Sequence, residues 1–174
     1  MDSDIQIRPA SANDSKKLSI LYKTVYIHTY GFEGVSDEYA NFIEDQFSSI
    51  FLESKIEKDE GFQLVADLKN NLLGVTEICY DKQNPIDGIS RPELSKLYIL
   101  EAFSRQKIGT QLVLDAEKII RNNGYSEYWL CVWALNPKAI SFYEKMGFEA
   151  QGTVPFQMET NCYENLVMLK KLQT

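Results

Sequence analysis

The segment NPKAISFYEKMGF, residues 136–148, combines groups that can do chemistry with the signals of a short helix. Asn136 followed by Pro137 predicts a helix start, because Asn can cap the first N–H groups and Pro fits the first turn. Apolar residues recur at spacings of three and four, which lays them on one helix face: Ala139, Phe142, Tyr143 and Met146. Gly147 suits the left-handed position after a helix. The phenol of Tyr143 is a weak acid that can donate a proton, but it also fits an ordinary core helix.

A second segment, residues 93–120, predicts a helix N-terminus behind a short loop. A strand-like run over residues 94–100 leads through the loop 104–109 into a predicted helix over residues 105–123, with an apolar stripe of Leu112, Val113, Ala116, Ile119 and Ile120. The N–H groups of a helix N-terminus point outward unpaired, and the helix dipole adds partial positive charge there. Such a loop can hold a pyrophosphate without a charged side chain. It is neither a Walker loop nor a G-x-G-x-x-G fingerprint.

Together the two segments resemble the GNAT superfamily of acyl-CoA N-acyltransferases. Residues 136–148 match the pattern N-x-x-A-x-x-F-Y-x-x-x-G-F, and residues 104–109 resemble the pyrophosphate loop R/Q-x-x-G-x-G/A. Ser104 stands where Arg or Gln is common, Lys107 replaces the first glycine, and Gly109 matches the second. The resemblance covers nearly the whole chain, and its ending is most similar to bacterial polyamine (spermidine/spermine) N-acetyltransferases of this type.

The resemblance implies roles for individual residues. It makes Tyr143 the general acid that protonates the departing thiolate of acetyl-CoA. It makes Glu93, at the position of the glutamate base in GNAT histone acetyltransferases, the general base, although Glu93 also fits an exposed charge at a strand start. Glu77 and His28 are the reserve candidates for the base. It places acetyl-CoA, a co-substrate, on one set of residues: Leu97, Tyr98, Ile99, Arg105, Gln106, Lys107, Ile108, Gly109, Thr110 and Asn136. An alkyl ammonium has a pKa near ~10.4, so the acceptor needs such a base at neutral pH.

The charge of the chain is concentrated in one segment. The rest of the chain has sixteen acids and sixteen bases and is neutral. Residues 31–60 carry nine acids and two lysines, a net charge of −7: Glu33, Asp37, Glu38, Glu44, Asp45, Glu53, Glu57, Asp59 and Glu60 against Lys55 and Lys58. The ordinary explanation is a solvated face of surface helices. In the GNAT fold this region covers the acceptor side, where acids would concentrate a cationic amine. We therefore expect Glu33, Asp37, Glu38, Glu77 and His28 to line the acceptor site, and the absence of a basic patch disfavours nucleic acid.

Composition limits the class of protein. A chain of 174 residues with 44% hydrophobic and 25% charged residues predicts one globular domain over residues 1–174. No apolar run approaches the ~20 residues of a membrane span, and the polar N-terminus is no signal peptide, so a cytoplasmic protein without membrane contact is expected. Cys79, Cys131 and Cys162 lack metal-ligand spacing, which predicts reduced strand or core cysteines and no metal site.

The remaining elements predict a mixed α/β sheet. A strand over residues 5–9 precedes a helix with apolar positions Leu18, Leu21, Tyr22 and Val25, and residues 28–34 read as an aromatic loop. Helices are expected over residues 37–47 and 49–57, a hairpin turns at residues 69–71, and residues 84–92 read as a loop. A strand over residues 127–134, a helix over 137–146 and two closing strands complete the order. These elements fit the GNAT fold, a mostly antiparallel sheet flanked by helices.

Two other functions remain open at this point. One is acetylation of a different amine, such as a protein N-terminus, an amino acid or an aminoglycoside. The other is a weakly catalytic CoA-binding regulatory module, which the altered pyrophosphate loop favours. The oligomeric state also stays open, with a homodimer among the expectations.

Overall fold

The computed structural model describes residues 4–58 and 60–172. Its strands are β1 (Ile5–Pro9), β2 (Gly61–Leu68), β3 (Asn71–Gln83), β4 (Ser90–Ile99), β5 (Glu127–Trp133), β6 (Glu149–Gln157) and β7 (Cys162–Lys171). Its helices are α1 (Ser15–Tyr30), α2 (Asp37–Phe47), α3 (Ser49–Glu57), α4 (Ile108–Asn122) and α5 (Pro137–Lys145), with 3-10 turns at Ala12–Asp14 and Glu101–Phe103.

The seven strands form one mixed sheet in the order β1-β2-β3-β4-β5-β7-β6. Strand β1 pairs with β2, and β7 pairs with both β5 and β6, in antiparallel register. Strand β4 runs parallel to β5, with Glu93 opposite Trp129. A mostly antiparallel sheet with helical connections confirms the predicted fold class.

The residue contacts divide into two compact units. The first comprises the chain up to Glu77 together with Lys96–Ala116, and the second comprises Ile78–Ser95 together with the chain from Glu117 onward. The first unit has a core in which the inner face of α1 meets α2, α3 and the sheet: Leu18, Leu21, Tyr22, Tyr26, Ile43, Phe47, Leu52, Val65, Leu72 and Val75. A single domain over residues 1–174 stays a prediction.

Local signals place several elements where the sequence predicts them. Ser36 and Ser48 cap α2 and α3, because their hydroxyls accept the N–H groups of Tyr39 and Phe51. Both helices have the predicted bounds. The turn between β2 and β3 has positive φ at Lys69 (52°) and Asn70 (68°), as a two-residue hairpin turn of the primed type requires.

Three boundary predictions are wrong. Residues 28–30 form the last turn of α1 rather than a loop, since the chain stays helical until Gly31 bonds back to the Ile27 carbonyl. Strand β4 begins at Ser90, so the predicted loop 84–92 ends early and Glu93 lies within the strand. Helix α4 begins at Ile108 rather than residue 105, because two residues before it have left-handed backbone.

Candidate active site

The loop before α4 has left-handed backbone, which glycine adopts most easily, at two residues that are not glycine. Arg105 has φ 63° and Lys107 has φ 64°, both in the left-handed region that costs other residues about 1–2 kcal/mol. Residues 104–107 are exposed, whereas Ile108 is 1% exposed and fixes the start of the helix. Left-handed residues beside a helix N-terminus turn successive N–H groups toward one concave face, which suits an anion. The loop backbone is therefore compatible with the predicted pyrophosphate site, and Lys107 has the left-handed φ that glycine adopts most easily.

Strand β4 presents residues 97–99, the expected contact for the pantetheine arm, in the same unit as this loop. The strand lies close to β3 at Gly74: a Cβ added there would stand 2.9 Å from the Tyr98 carbonyl oxygen and 2.5 Å from Ile99 Cδ1. The Leu100 N–H donates to the Leu73 carbonyl at 2.9 Å. The Tyr98 ring meets Tyr22 edge to face, with ring centroids 5.3 Å apart. This packing holds β4 firmly against its neighbour.

Asn136 caps helix α5, which begins at Pro137 as the sequence predicts. The Asn136 side chain accepts the Ala139 N–H at 3.1 Å, and Pro137 takes the first helical position. The capping role of Asn136 is therefore confirmed, and its contact with acetyl-CoA stays a prediction. Gly147 ends the helix with φ 88°, in the left-handed conformation expected of it.

The Tyr143 ring is 8% exposed and lies between two other aromatic rings. Its centroid is 5.3 Å from that of Phe142 and 5.6 Å from that of Phe148. The Phe148 N–H donates to the Tyr143 carbonyl at 3.0 Å, which ties the turn after α5 to this ring. The ring orientation is thus fixed by packing.

A buried polar group near Phe148 is not apparent from the sequence. The Tyr128 hydroxyl donates to Glu117 Oε1 at 2.6 Å, and Lys170 forms an ion pair with the same oxygen. Burial, and then the Glu117 charge, hold the pKa of Tyr128 far above its ordinary value, so this phenol stays protonated. The Tyr128 ring meets Phe148 at 4.9 Å. The only hint in the sequence is that Tyr128, which carries a hydroxyl, stands within the mostly apolar strand β5.

Glu93 is half-buried in β4 and lies near a cysteine of β5. Burial, and then the charge of Glu93, raise the pKa of the Cys131 thiol to about 12. The thiol is therefore neutral at physiological pH and is a poor nucleophile. Cys79, Cys131 and Cys162 are not in disulfide bonds and lie in strands, as predicted, although Cys162 is exposed.

Glu77 is 2% exposed and binds other side chains of its own unit. It accepts hydrogen bonds from Lys55 at 2.7 Å, Gln63 at 2.9 Å and Tyr22 at 3.3 Å. Glu77 is one of the site residues predicted from the sequence, but its partners are not, because they lie 14 to 55 positions away in the chain.

The acceptor-site candidates differ in exposure. Glu33 and Asp37 are exposed at the entrance to α2, and His28 is exposed in the last turn of α1. Glu38 is 7% exposed in the first turn of α2, so it is not part of an open acidic face. Asp59 lies outside the described residues. The other acids of the segment are exposed: Glu44, Asp45, Glu53, Glu57 and Glu60.

Among the residues that the structure describes, no three or more His, Cys, Asp or Glu side chains are grouped to hold a metal ion. No helix in that part of the chain is both long and apolar enough to cross a membrane.

Comparison with known proteins identifies the family. The sequence model of the acetyltransferase (GNAT) family matches residues 26–148. The chain belongs to this family. It is an N-acetyltransferase, and enzymes of the GNAT family use acetyl-CoA as the acetyl donor.

Individual relatives have more specific names than the family. The chain is 30% identical over 155 residues to a spermidine N(1)-acetyltransferase of Thermoplasma acidophilum, covering 86% of this chain and 91% of the relative. It resembles the crystal structure of PaiA N-acetyltransferase from Thermoplasma acidophilum in complex with coenzyme A, with 28% identity, a TM-score of 0.79 and coverage of 96% and 98%. A ribosomal-protein-alanine N-acetyltransferase from Brucella melitensis shares the fold, with 22% identity, a TM-score of 0.72 and coverage of 96% and 99%.

Proposed function

We propose that this GNAT enzyme transfers the acetyl group of acetyl-CoA to a primary amine of a polyamine such as spermidine or spermine. The observation that carries the proposal is the 30% identity, over 86% of the chain, to a spermidine N(1)-acetyltransferase. The exposed acids near α2 and α3 support it, because they favour a cationic small molecule and disfavour nucleic acid.

The donor is held mainly by backbone groups. The left-handed residues Arg105 and Lys107, followed by the first turn of α4, support a pyrophosphate site spanning Arg105 to Thr110. Backbone groups of residues 97–99 add hydrogen bonds along the pantetheine arm, in the manner of an added strand. When bound, acetyl-CoA supplies the thioester carbonyl and the thiolate leaving group.

Proton transfer is assigned to Glu93 and Tyr143. Glu93 takes a proton from the acceptor ammonium, directly or through water, so that the free amine can attack the carbonyl carbon. The new C–N bond forms, the C–S bond breaks, and the Tyr143 phenol gives its proton to the sulfur. The proton that the new amide nitrogen loses returns to the tyrosinate, directly or through water, so that both groups are restored. A backbone N–H of β4 stabilises the oxyanion that forms in between. Direct transfer also agrees with Cys131, whose raised pKa removes the nearby thiolate that a covalent route would need.

The acceptor is attracted by exposed acids at the start of α2. Glu33 and Asp37 can meet the distal ammonium groups of a polyamine in solvent. Glu38 is buried, and His28 in α1 has no carboxylate, so we assign the long-range attraction to Glu33 and Asp37.

Turnover of acetyl-CoA with a panel of amines tests the proposal. Free-thiol release is followed with spermidine, spermine, butylamine, an amino acid and a peptide with a free N-terminus. We expect the polyamines to have the highest kcat/KM. Binding of CoA without turnover of any amine would instead favour a regulatory module, and turnover of the peptide alone would favour a protein N-terminus.

The salt dependence of KM tests the acidic face. The Debye length falls from ~10 Å at 0.1 M to ~3 Å at 1 M salt, so KM for spermidine should rise steeply with ionic strength while KM for butylamine moves less. Replacing Glu33 with Gln and Asp37 with Asn together should flatten that slope. The matched control replaces the exposed Glu149 and Glu164 with Gln, an equal charge change on β6 and β7. Equal slopes for the two double variants would make the α2 acids an ordinary solvated surface.

A further inference from the structure

Four side chains form a buried polar cluster, here called the Glu77 cluster: Tyr22, Lys55, Gln63 and Glu77. The Glu77 side chain is 3% exposed and pairs with the Lys55 ammonium at 2.7 Å through Oε1. Its Oε2 accepts the Gln63 amide N–H at 2.9 Å and the Tyr22 hydroxyl at 3.3 Å. All four residues belong to the first compact unit. A buried carboxylate of this kind needs a cation beside it.

The Gln63 amide oxygen lacks a donor. Gln63 is 8% exposed, and its Oε1 has no hydrogen-bond partner within residues 4–58 and 60–172. The orientation of the amide follows from the network, because the reverse orientation would set its oxygen against the Glu77 carboxylate. A buried acceptor without a donor is costly, so a group that brings an N–H to this oxygen gains binding energy.

Lys55 differs from the rest of the cluster in being open to solvent. Its side chain is 30% exposed on α3, while its ammonium end contacts the buried acid. A second ammonium could take its place at Glu77 without changing the charge of the cluster. Lys55 meets Glu77 at Oε1 and leaves Gln63 Oε1 without a donor among the described residues. An ammonium has three N–H donors, so a ligand ammonium on the Gln63 side of the carboxylate could donate both to Glu77 and to Gln63 Oε1. The exchange replaces one ion pair by another and adds a hydrogen bond.

We propose that the Glu77 cluster is a subsite for a protonated nitrogen of a polycationic acceptor, with Lys55 as its internal competitor. This proposal rests on the proposed function, because a polyamine keeps a second ammonium after the reacting nitrogen has lost its proton. A monoamine has no second ammonium to place there. The subsite would therefore discriminate between polyamines and monoamines.

Removal of the competing ammonium gives the sharpest test. Lys55→Met retains an apolar stem but leaves Glu77 without its cation. We expect spermidine to raise the melting temperature of Lys55→Met by several degrees more than that of the parent, and KM for spermidine to fall by about threefold or more. Lys58→Met is the matched control, since Lys58 is exposed at the end of α3. If spermidine stabilised the two variants equally, Lys55 would be only a structural ion-pair partner.

Lys55→Arg keeps the ion pair with Glu77 and should change the KM for spermidine in the opposite direction. A guanidinium holds a carboxylate more firmly than an ammonium does, so KM for spermidine should rise while KM for butylamine stays close to that of the parent. An equal change for both amines would overturn the proposal. This variant also serves if Lys55→Met does not fold.

Gln63→Met removes the unpaired acceptor. The ratio of kcat/KM for spermidine to that for butylamine should fall roughly tenfold, the loss expected for a hydrogen bond to a charged group. A ratio equal to that of the parent would mean that the amide only supports Glu77. Failure of the proposed function is seen separately, because the parent enzyme would then not acetylate polyamines at all. The melting-temperature measurement detects polyamine binding to the subsite without requiring turnover.

Discussion

Replacing Lys107 with Gly tests whether the proposed pyrophosphate loop binds through its backbone rather than through its side chains. Lys107 has φ 64° and an exposed side chain, so the change removes no buried contact. Glycine adopts this conformation without steric cost. If the loop binds through N–H groups, the variant should keep the geometry and lose only strain.

The size of the effect follows from two opposing terms. Left-handed backbone costs a residue with a Cβ about 1–2 kcal/mol, which glycine does not incur. Glycine also gives the unfolded chain more freedom, which costs about 0.4–1 kcal/mol of stability. The two ranges combine to a net stabilisation of about 0–1.6 kcal/mol, with a midpoint of about 0.8 kcal/mol. For a chain of this size, that corresponds to a rise of about 1–4 °C in melting temperature.

Lys58→Gly is the matched control, because Lys58 is also exposed but has φ −84°. It should lose about 0.4–1 kcal/mol, since only the unfolded-state term applies. Melting temperatures of both variants are measured by calorimetry, and CoA affinity by isothermal titration. We expect the Kd of Lys107→Gly for CoA to stay within about threefold of that of the parent. A rise of more than about tenfold, with a weaker salt dependence, would show that the Lys107 ammonium holds a phosphate, and the backbone explanation would be wrong.

Three further predictions concern the proposed chemistry and the fold. Tyr143→Phe should lower kcat by about 10²- to 10⁴-fold with little change in acetyl-CoA affinity, because the packed ring remains. If kcat changed by less than about threefold while chemistry is rate-limiting, the role of Tyr143 would be only structural. Gly109→Trp should abolish CoA binding by crowding the backbone of the first turn of α4, and unchanged affinity by titration would place the pyrophosphate elsewhere. The Arg8 guanidinium lowers the pKa of Asp14, so this pair should stabilise the fold at neutral pH and lose its effect as pH falls below the ordinary range of a carboxylate. Urea unfolding of Asp14→Asn across acid pH should then show a shallower loss of stability than the parent, and parallel curves would contradict the assignment.

Local signals predicted the parts of the fold that depend on neighbouring residues. The predicted cap Asn136 binds an N–H group three residues away, so the sequence contains the complete interaction. Ser36 and Ser48 cap α2 and α3 over the same distance, and both helices have the predicted bounds. The Glu77 cluster is different, because Lys55 and Glu77 are 22 positions apart and meet only after α3 and β3 have packed. The burial of Glu38 is likewise a tertiary effect that the acidic composition of residues 31–60 does not reveal.

The pyrophosphate loop shows why a sequence motif and a binding geometry can disagree. A motif records glycine because glycine most easily adopts left-handed backbone, but the ligand meets the N–H groups and not the residue type. Arg105 and Lys107 reach the same region of φ at a cost of strain, and such strain is found where the surrounding structure enforces a functional conformation. Here Ile108, buried at the first position of α4, holds the helix in place immediately after the loop. The missing glycine therefore weakens the sequence match, whereas Lys107 keeps the left-handed backbone that glycine adopts most easily, and this supports the proposed pyrophosphate site at the start of α4.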